Sequence, residues 1–366
     1  MSAHSLQHFS RPNSDTASRV LLNRRALLRG AAVLASELAV IAPSMWTGAL
    51  AATQSGADVQ PSGSGRPDAS GARPVALVAN SLSNTLTIVD ARTFEPFRTM
   101  PVGREPHKFH LSQGGRTVYS CNTMSNEMIE IDLATLRPVR RIPILDPYNV
   151  TFTTGRRLFA LNYRYAFVDV HDARTFRRIR RLHTGQSPSH YALSPDGRWF
   201  VNSNQRANTV TVIDTGFLRV VRLISVDPFP AGVSISRDGR HMIVSSGHAG
   251  TLSVFATEDW RLIRRVHSGR DTHEHVATGN GAHIFVTNRG ENTVSVFDVA
   301  AQRVIEKFHV PGGPDMPMLS ADGRYLWVSG RYADIGTVID ARALRIVRTF
   351  RTQHSPHGVF LGTTLA

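Results

Sequence analysis

One stretch of alternating apolar and hydroxyl-bearing residues, closed by aspartate, returns through this chain at a nearly constant interval. Asn84-Thr85-Leu86-Thr87-Ile88-Val89-Asp90 reappears as Asn208-Thr209-Val210-Thr211-Val212-Ile213-Asp214, and again as Asn292-Thr293-Val294-Ser295-Val296-Phe297-Asp298. Aligned on the closing residue, the copies fall at Asp90, Asp132, Asp172, Asp214, Ala256, Asp298 and Asp340, at spacings of 42, 40, 42, 42, 42 and 42 residues. Within each unit, three or four short alternating runs are separated by Gly, Asn and Asp, the pattern of antiparallel strands joined by tight turns. Ser194-Pro195-Asp196-Gly197 and Ser236-Arg237-Asp238-Gly239 are such turns. A four-stranded unit of this size cannot bury its own faces and must pack on neighbouring copies, which closing into a ring achieves while leaving only short edges. Seven copies predict an all-β chain, a seven-bladed β-propeller over residues 75–366. Val75–Asn80 reads as a second strand and Pro356–Leu361 as a lone first strand. The C-terminal strand is therefore expected to be the inner strand that completes the first blade, begun by residues 75–99.

The repeat units carry a resemblance. Phe285-Val286-Thr287-Asn288, followed by Glu291-Asn292-Thr293-Val294-Ser295-Val296-Phe297-Asp298, resembles the YVTN family of bacterial β-propellers. The chain is more distantly similar to the haem-binding propeller of cytochrome-type nitrite reductases and to copper-binding propellers. The resemblance covers about residues 75–361 and implies the fold. It leaves function open, because ligand binders, metal carriers, nucleic-acid binders and enzyme domains share it. The recurring Asn80, Asn122, Asn162, Asn204 and Asn288 each end a second strand and are read as structural, at a place where Asn tolerates turn geometry.

Ahead of the repeat lies a different kind of chain. Asn23-Arg24-Arg25-Ala26-Leu27-Leu28-Arg29 resembles a twin-arginine export signal, and residues 30–51 are rich in Ala, Leu and Val up to Ala49-Leu50-Ala51, a small-x-small cleavage pattern. Residues 1–51 are thus expected to be a twin-arginine-type signal peptide directing the protein to the periplasm. Glu37 and Pro43 interrupt the apolar stretch, so no integral membrane segment is expected after cleavage. Residues 52–74 are dominated by Gly, Ser, Ala, Pro and Gln and read as a flexible linker. Cys121 is the sole cysteine, which excludes an intrachain disulfide. The formal charge of +14 comes almost wholly from arginine, since Lys108 and Lys307 are the only lysines. The basic residues are read as dispersed arginine, so a nucleic-acid partner is not expected.

Function is sought where copies depart from the repeat together. The start of each innermost strand faces the central channel near one mouth. Aligned on the Gly of the following turn, the residue there reads His107, Pro147, Ser189, Ala231, His273, Asp315 and His357. The repeat needs none of these for packing. His273, Asp315, His357 and His107 come from four contiguous blades, and three imidazoles with a carboxylate are a ligand set for copper or zinc. His110, His190, His275, His354 and Glu274 lie close in sequence and are candidates for further ligands or for groups that orient the first. The first expectation is an exported propeller that carries or buffers copper or zinc, or holds another small ligand, at the channel mouth. The second is a periplasmic redox protein or enzyme with a copper or non-covalent haem centre. The third is a cofactor-free platform for protein or nucleic acid. A cationic rim of Arg164, Arg206, Arg289, Arg331 and His248 is expected around the mouth, where a protein partner would dock. The chain has no Gly-x-Ser-x-Gly, no phosphate-binding Gly-rich loop, no His-Glu-x-x-His and no Cys-x-x-Cys-His, which excludes several common catalytic classes.

Overall fold

A computed structural model describes residues 73–153 and 155–364. The twin-arginine-type segment and most of the linker lie outside the described residues. The described chain forms 28 strands, numbered in order from β1 (Arg73–Asn80), in seven four-stranded antiparallel sheets. The innermost strands are β4 (Pro106–Leu111), β8 (Pro147–Thr153), β12 (Pro188–Leu193), β16 (Pro230–Ile235), β20 (Thr272–Ala277), β24 (Pro314–Leu319) and β28 (Pro356–Thr364). Each touches the next around the ring, and β28 touches both β24 and β4. β28 pairs antiparallel with β1, from Arg73 opposite Thr364 to Val78 opposite Val359, so the C-terminal strand closes the first blade as the repeat count requires. β1 starts at Arg73 rather than Val75. No described helix is long and apolar enough to cross a membrane.

The core is divided as a ring demands. Seven separate clusters of buried apolar side chains lie between consecutive blades, one for each interface. Between blades one and two, for example, Leu77, Ile88 and Phe360 meet Phe109, Val118 and Ile131. Both faces of the middle strands are buried, so a blade removed from its neighbours would expose two apolar faces at once.

The turns follow from residue chemistry. The residue before every inner strand is left-handed: Glu105, Asp146, Ser187, Phe229, Asp271, Gly313 and Ser355 all have positive φ. The recurring asparagines prove structural for a reason other than turn tolerance. Asn122 and Asn288 are extended, with φ near −118° and −124°. The Asn204 amide instead donates to the Thr209 and Thr211 hydroxyls at 3.0 and 2.8 Å, and Asn288 does the same to Thr293 and Ser295 at 3.1 and 3.0 Å. The left-handed residue is Asn84, Asn126, Asn208 or Asn292, four positions on.

Candidate functional site

Two sets of loops meet at one end of the channel. Ser81, Thr123, Gln205, Arg289 and Arg331, each just past a second strand, donate their N–H to the carbonyls of Ser355, Glu105, Ser187, Asp271 and Gly313. This lacing fixes where the inner strands begin. Just inside, most inner strands carry a register shift. β12 pairs Pro188 with Asn204 and then resumes at Tyr191 with Asn202, and β4, β16, β20 and β24 break the same way. Two consecutive residues of each of these strands therefore sit in a bulge and both can reach the axis, whereas in β8 only Tyr148 is left unpaired.

The first of these two positions holds His107, Tyr148, Ser189, Ala231, His273, Asp315 and His357. Tyr148 replaces the expected Pro147, which pairs with Asn162 as Pro106 pairs with Asn122. The third repeat is shortened by one residue in the loop before β8 and by one in the hairpin after it. Counting back from the glycine of that shortened hairpin lands one residue early.

The four expected side chains do come together, and all are sealed from solvent, with His107, His273, Asp315 and His357 at 2, 2, 0 and 0% exposure. Asp315 is the hub. Its Oδ1 accepts from His273 Nδ1 at 2.9 Å and from Arg289 Nη1 at 3.3 Å, while Oδ2 accepts from Arg331 Nη1 at 3.1 Å and lies 3.5 Å from His357 Nε2. Burial alone would raise this carboxyl, but His273, His357 and Arg331 overcome it and hold Asp315 well below the usual carboxylate range. Arg289 is further clamped by Asp271, at 3.0 Å through Nε and 2.9 Å through Nη2.

The imidazoles are oriented by backbone. His357 Nδ1 lies 3.0 Å from the His107 carbonyl, and His107 Nδ1 lies 3.0 Å from the Tyr148 carbonyl, one blade further on. A carbonyl only accepts, so Nδ1 carries the proton in both rings and each Nε2 is left with its lone pair. Burial first, then Arg331 beside His107 and His107 beside His357, push both imidazoles well below their ordinary pKa, so both are neutral at pH 7. Their rings pack at 3.7 Å between centroids, tilted by 32°, and His107 packs at 3.7 Å on Tyr148, tilted by 41°, while Tyr148 stacks on Tyr163. The buried Nε2 of His357 has no hydrogen-bond partner.

Residues at the second bulge position form a layer that the alternating pattern did not reveal. Lys108, His190 and Glu274 converge from blades two, four and six: Lys108 Nζ is 3.6 Å from Glu274 Oε2, and His190 Nδ1 abuts the same oxygen. Burial would raise Glu274, but His190 and Lys108 keep it ionised, while burial lowers His190 to about 4. Gly232 makes the room, since a Cβ there would lie 2.6 Å from Glu274 Oε1. A cavity of about 20 Å³, the size of one water, lies beside Lys108, Asn149, Tyr191 and Met316.

Other expectations are redirected. His275 is held between Ser245 and Ser234 at 2.7 and 2.8 Å, His110 packs on Phe152, and the exposed His354 bonds Asp334. Among the described residues no group of three or more His, Cys, Asp or Glu is arranged to hold a metal ion. The cationic rim is largely neutralised: Arg164 pairs with Asp146 at 3.1 Å, and Arg289 and Arg331 with Asp315, leaving Arg206 and His248 exposed.

The family profile of the YNCE-like β-propellers matches residues 31–364. The chain belongs to that family. No curated protein matches the chain. Several solved structures share the YNCE-like propeller's fold. Hydrazine synthase of Kuenenia stuttgartiensis is 20% identical with a TM-score of 0.62, over 69% of this chain and 88% of that one. The dihydro-heme d1 dehydrogenase NirN, solved in complex with DHE, is 18% identical with a TM-score of 0.61, over 85% and 80%. A functionally unknown protein from Desulfotomaculum acetoxidans is 15% identical with a TM-score of 0.67, over 79% and 98%. At these identities the likeness to the YNCE-like propeller is one of fold.

Proposed function

We propose that this protein is an exported, periplasmic propeller that binds an anionic cofactor of the haem class at the channel mouth, with His357 presented to it and Arg331 as counter-charge. The observation that carries this reading is the His357 imidazole. It is neutral, its Nδ1 proton is spent on the His107 carbonyl, and its Nε2 lone pair is buried without a hydrogen-bond partner. A lone pair 3.5 Å from a carboxylate gains nothing there, and a Lewis acid would relieve it. Arg331 is the more exposed of the two guanidiniums on Asp315, with its side chain 26% accessible, and has donors left for a ligand carboxylate as it swings outward. A haem-class group held there would supply one-electron chemistry. The kinship with a dihydro-heme d1 dehydrogenase agrees with this class of ligand.

A copper or zinc carrier finds less support. Asp315 is committed to two arginines, and the Nδ1 atoms of His107 and His357 are both spent on backbone carbonyls. Titrating the protein with haemin while following the Soret band tests the proposal. A saturable band at one equivalent, lost in His357→Ala and weakened about tenfold in Arg331→Gln, is expected. No saturable change would overturn it. A full equivalent of copper or zinc that disappears in His107→Ala and His357→Ala would favour the carrier instead.

A further inference from the structure

The excess positive charge does not surround the channel; it lies on the outside of the disc. The outermost strands of blades two, three and four are β7 (Arg137–Pro143), β11 (Arg178–His183) and β15 (Arg219–Ser225). With the turns leading into them, the segments 137–143, 174–183 and 216–225 hold ten arginines and not one Asp or Glu. Four of the ten pair with carboxylates of adjoining strands: Arg140 with Glu130, Arg141 with Glu127, and Arg178 and Arg181 with Asp169. Arg137, Arg177, Arg180, Arg219 and Arg222 are exposed, and among the described residues no carboxylate lies within ion-pair distance of them. The equivalent segments of blades one, five and six carry acid, at Glu95, at Glu258 and Asp259, and at Glu306, whereas that of blade seven, 342–351, also holds four arginines and no acid but stands apart from the three consecutive blades.

Apolar side chains stand between these arginines. Val139, Ile179, Leu223 and Phe217 are 58, 52, 56 and 77% exposed. A surface that interleaves guanidinium groups with exposed aliphatic side chains combines attraction to anionic headgroups with side chains able to enter the acyl boundary. A nucleic acid would satisfy the charge but not the aliphatic groups, and it favours aromatic platforms for its bases. The one aromatic ring most exposed here, Phe217, lies against Arg219. We propose that the side wall formed by β7, β11 and β15 is a docking surface for an anionic phospholipid bilayer, which would hold the disc edge-on with its channel mouth free.

The test uses the full chain with vesicles in which roughly a third of the lipid is anionic, against vesicles of zwitterionic lipid alone. Binding to the anionic vesicles alone is expected, with amide exchange slowed in β7, β11 and β15. Arg137→Gln, Arg177→Gln, Arg180→Gln and Arg222→Gln together should weaken it at least about 30-fold, since each basic residue near the surface contributes. Arg342→Gln, Arg345→Gln and Arg351→Gln, on blade seven and outside the three consecutive blades, should change it by less than about twofold. Ile179→Ser with Leu223→Ser should weaken vesicle binding while leaving the affinity for single-stranded DNA unchanged. Equal loss from both arginine sets, or exchange protection elsewhere, would overturn the surface. Tighter binding to single-stranded DNA than to vesicles, indifferent to the aliphatic substitutions, would make it a nucleic-acid face.

Discussion

Asp315 illustrates how one residue can hold a site together. Its two oxygens meet two guanidiniums and two imidazoles with no exposure to water. Asp315→Ala leaves Arg331 without its carboxylate and Arg289 with Asp271 alone, and a loss of about 3–5 kcal/mol in denaturant unfolding is expected. The histidines make a separate prediction about acid. His107, His190 and His357 are depressed in the fold, so the unfolded chain binds their protons first. Stability is then full above the ordinary histidine pKa of about 6.5 and falls as pH drops below it, by up to about 1.4 kcal/mol per pH unit for each ring. Asp315 is depressed too, and its stabilising share persists until pH falls below the ordinary aspartate value, so it does not offset the histidines between pH 7 and 5. Unfolding midpoints measured across that range should fall with pH, and His190→Gln should flatten the slope. His107, His273, Asp315 and His357 were legible because the repeat asks nothing of their position. Tyr148 was not, because two one-residue deletions shift its register. His190 and Glu274 were legible only as neighbours of the first set, and Lys108 was hidden by the bulge, which turns two successive residues inward where alternation sends one away.

At the level of single strands, glycine decides where side chains can go. A Cβ on Gly358 would overlap the carbonyl oxygen of His107, a backbone atom that cannot turn aside. Gly358→Ala should therefore cost about 1–3 kcal/mol and pull His357 from its place, a shift that histidine ring resonances would report. Gly232→Ala would crowd the paired Glu274 carboxylate at 2.6 Å and His275 Nδ1 at 2.8 Å, both held by hydrogen bonds or ion pairs, so a comparable loss is expected there. Strand order and blade boundaries were readable from alternation and turn residues alone. The role of the buried asparagines was not, since a hydrogen bond to a hydroxyl seven residues later is a tertiary fact.

For the whole molecule, stability is shared among seven interfaces and closed by one pairing, β28 on β1. Removing residues 356–366 should leave β1 with a bare inner edge and convert one sharp calorimetric transition into broad, concentration-dependent unfolding. The twin-arginine resemblance, the ring and its charge were all visible in the sequence. That the positive charge sits on the wall rather than the mouth was not, because it depends on which arginines find carboxylates.

The closing strand has a consequence for synthesis. His357 lies within β28, which follows every other strand of the ring in chain order, and Asp315 and His273 reach it only when the ring is shut. A growing chain can fold six blades and still own no site. A ligand bound there would report a shut ring and would favour it by mass action.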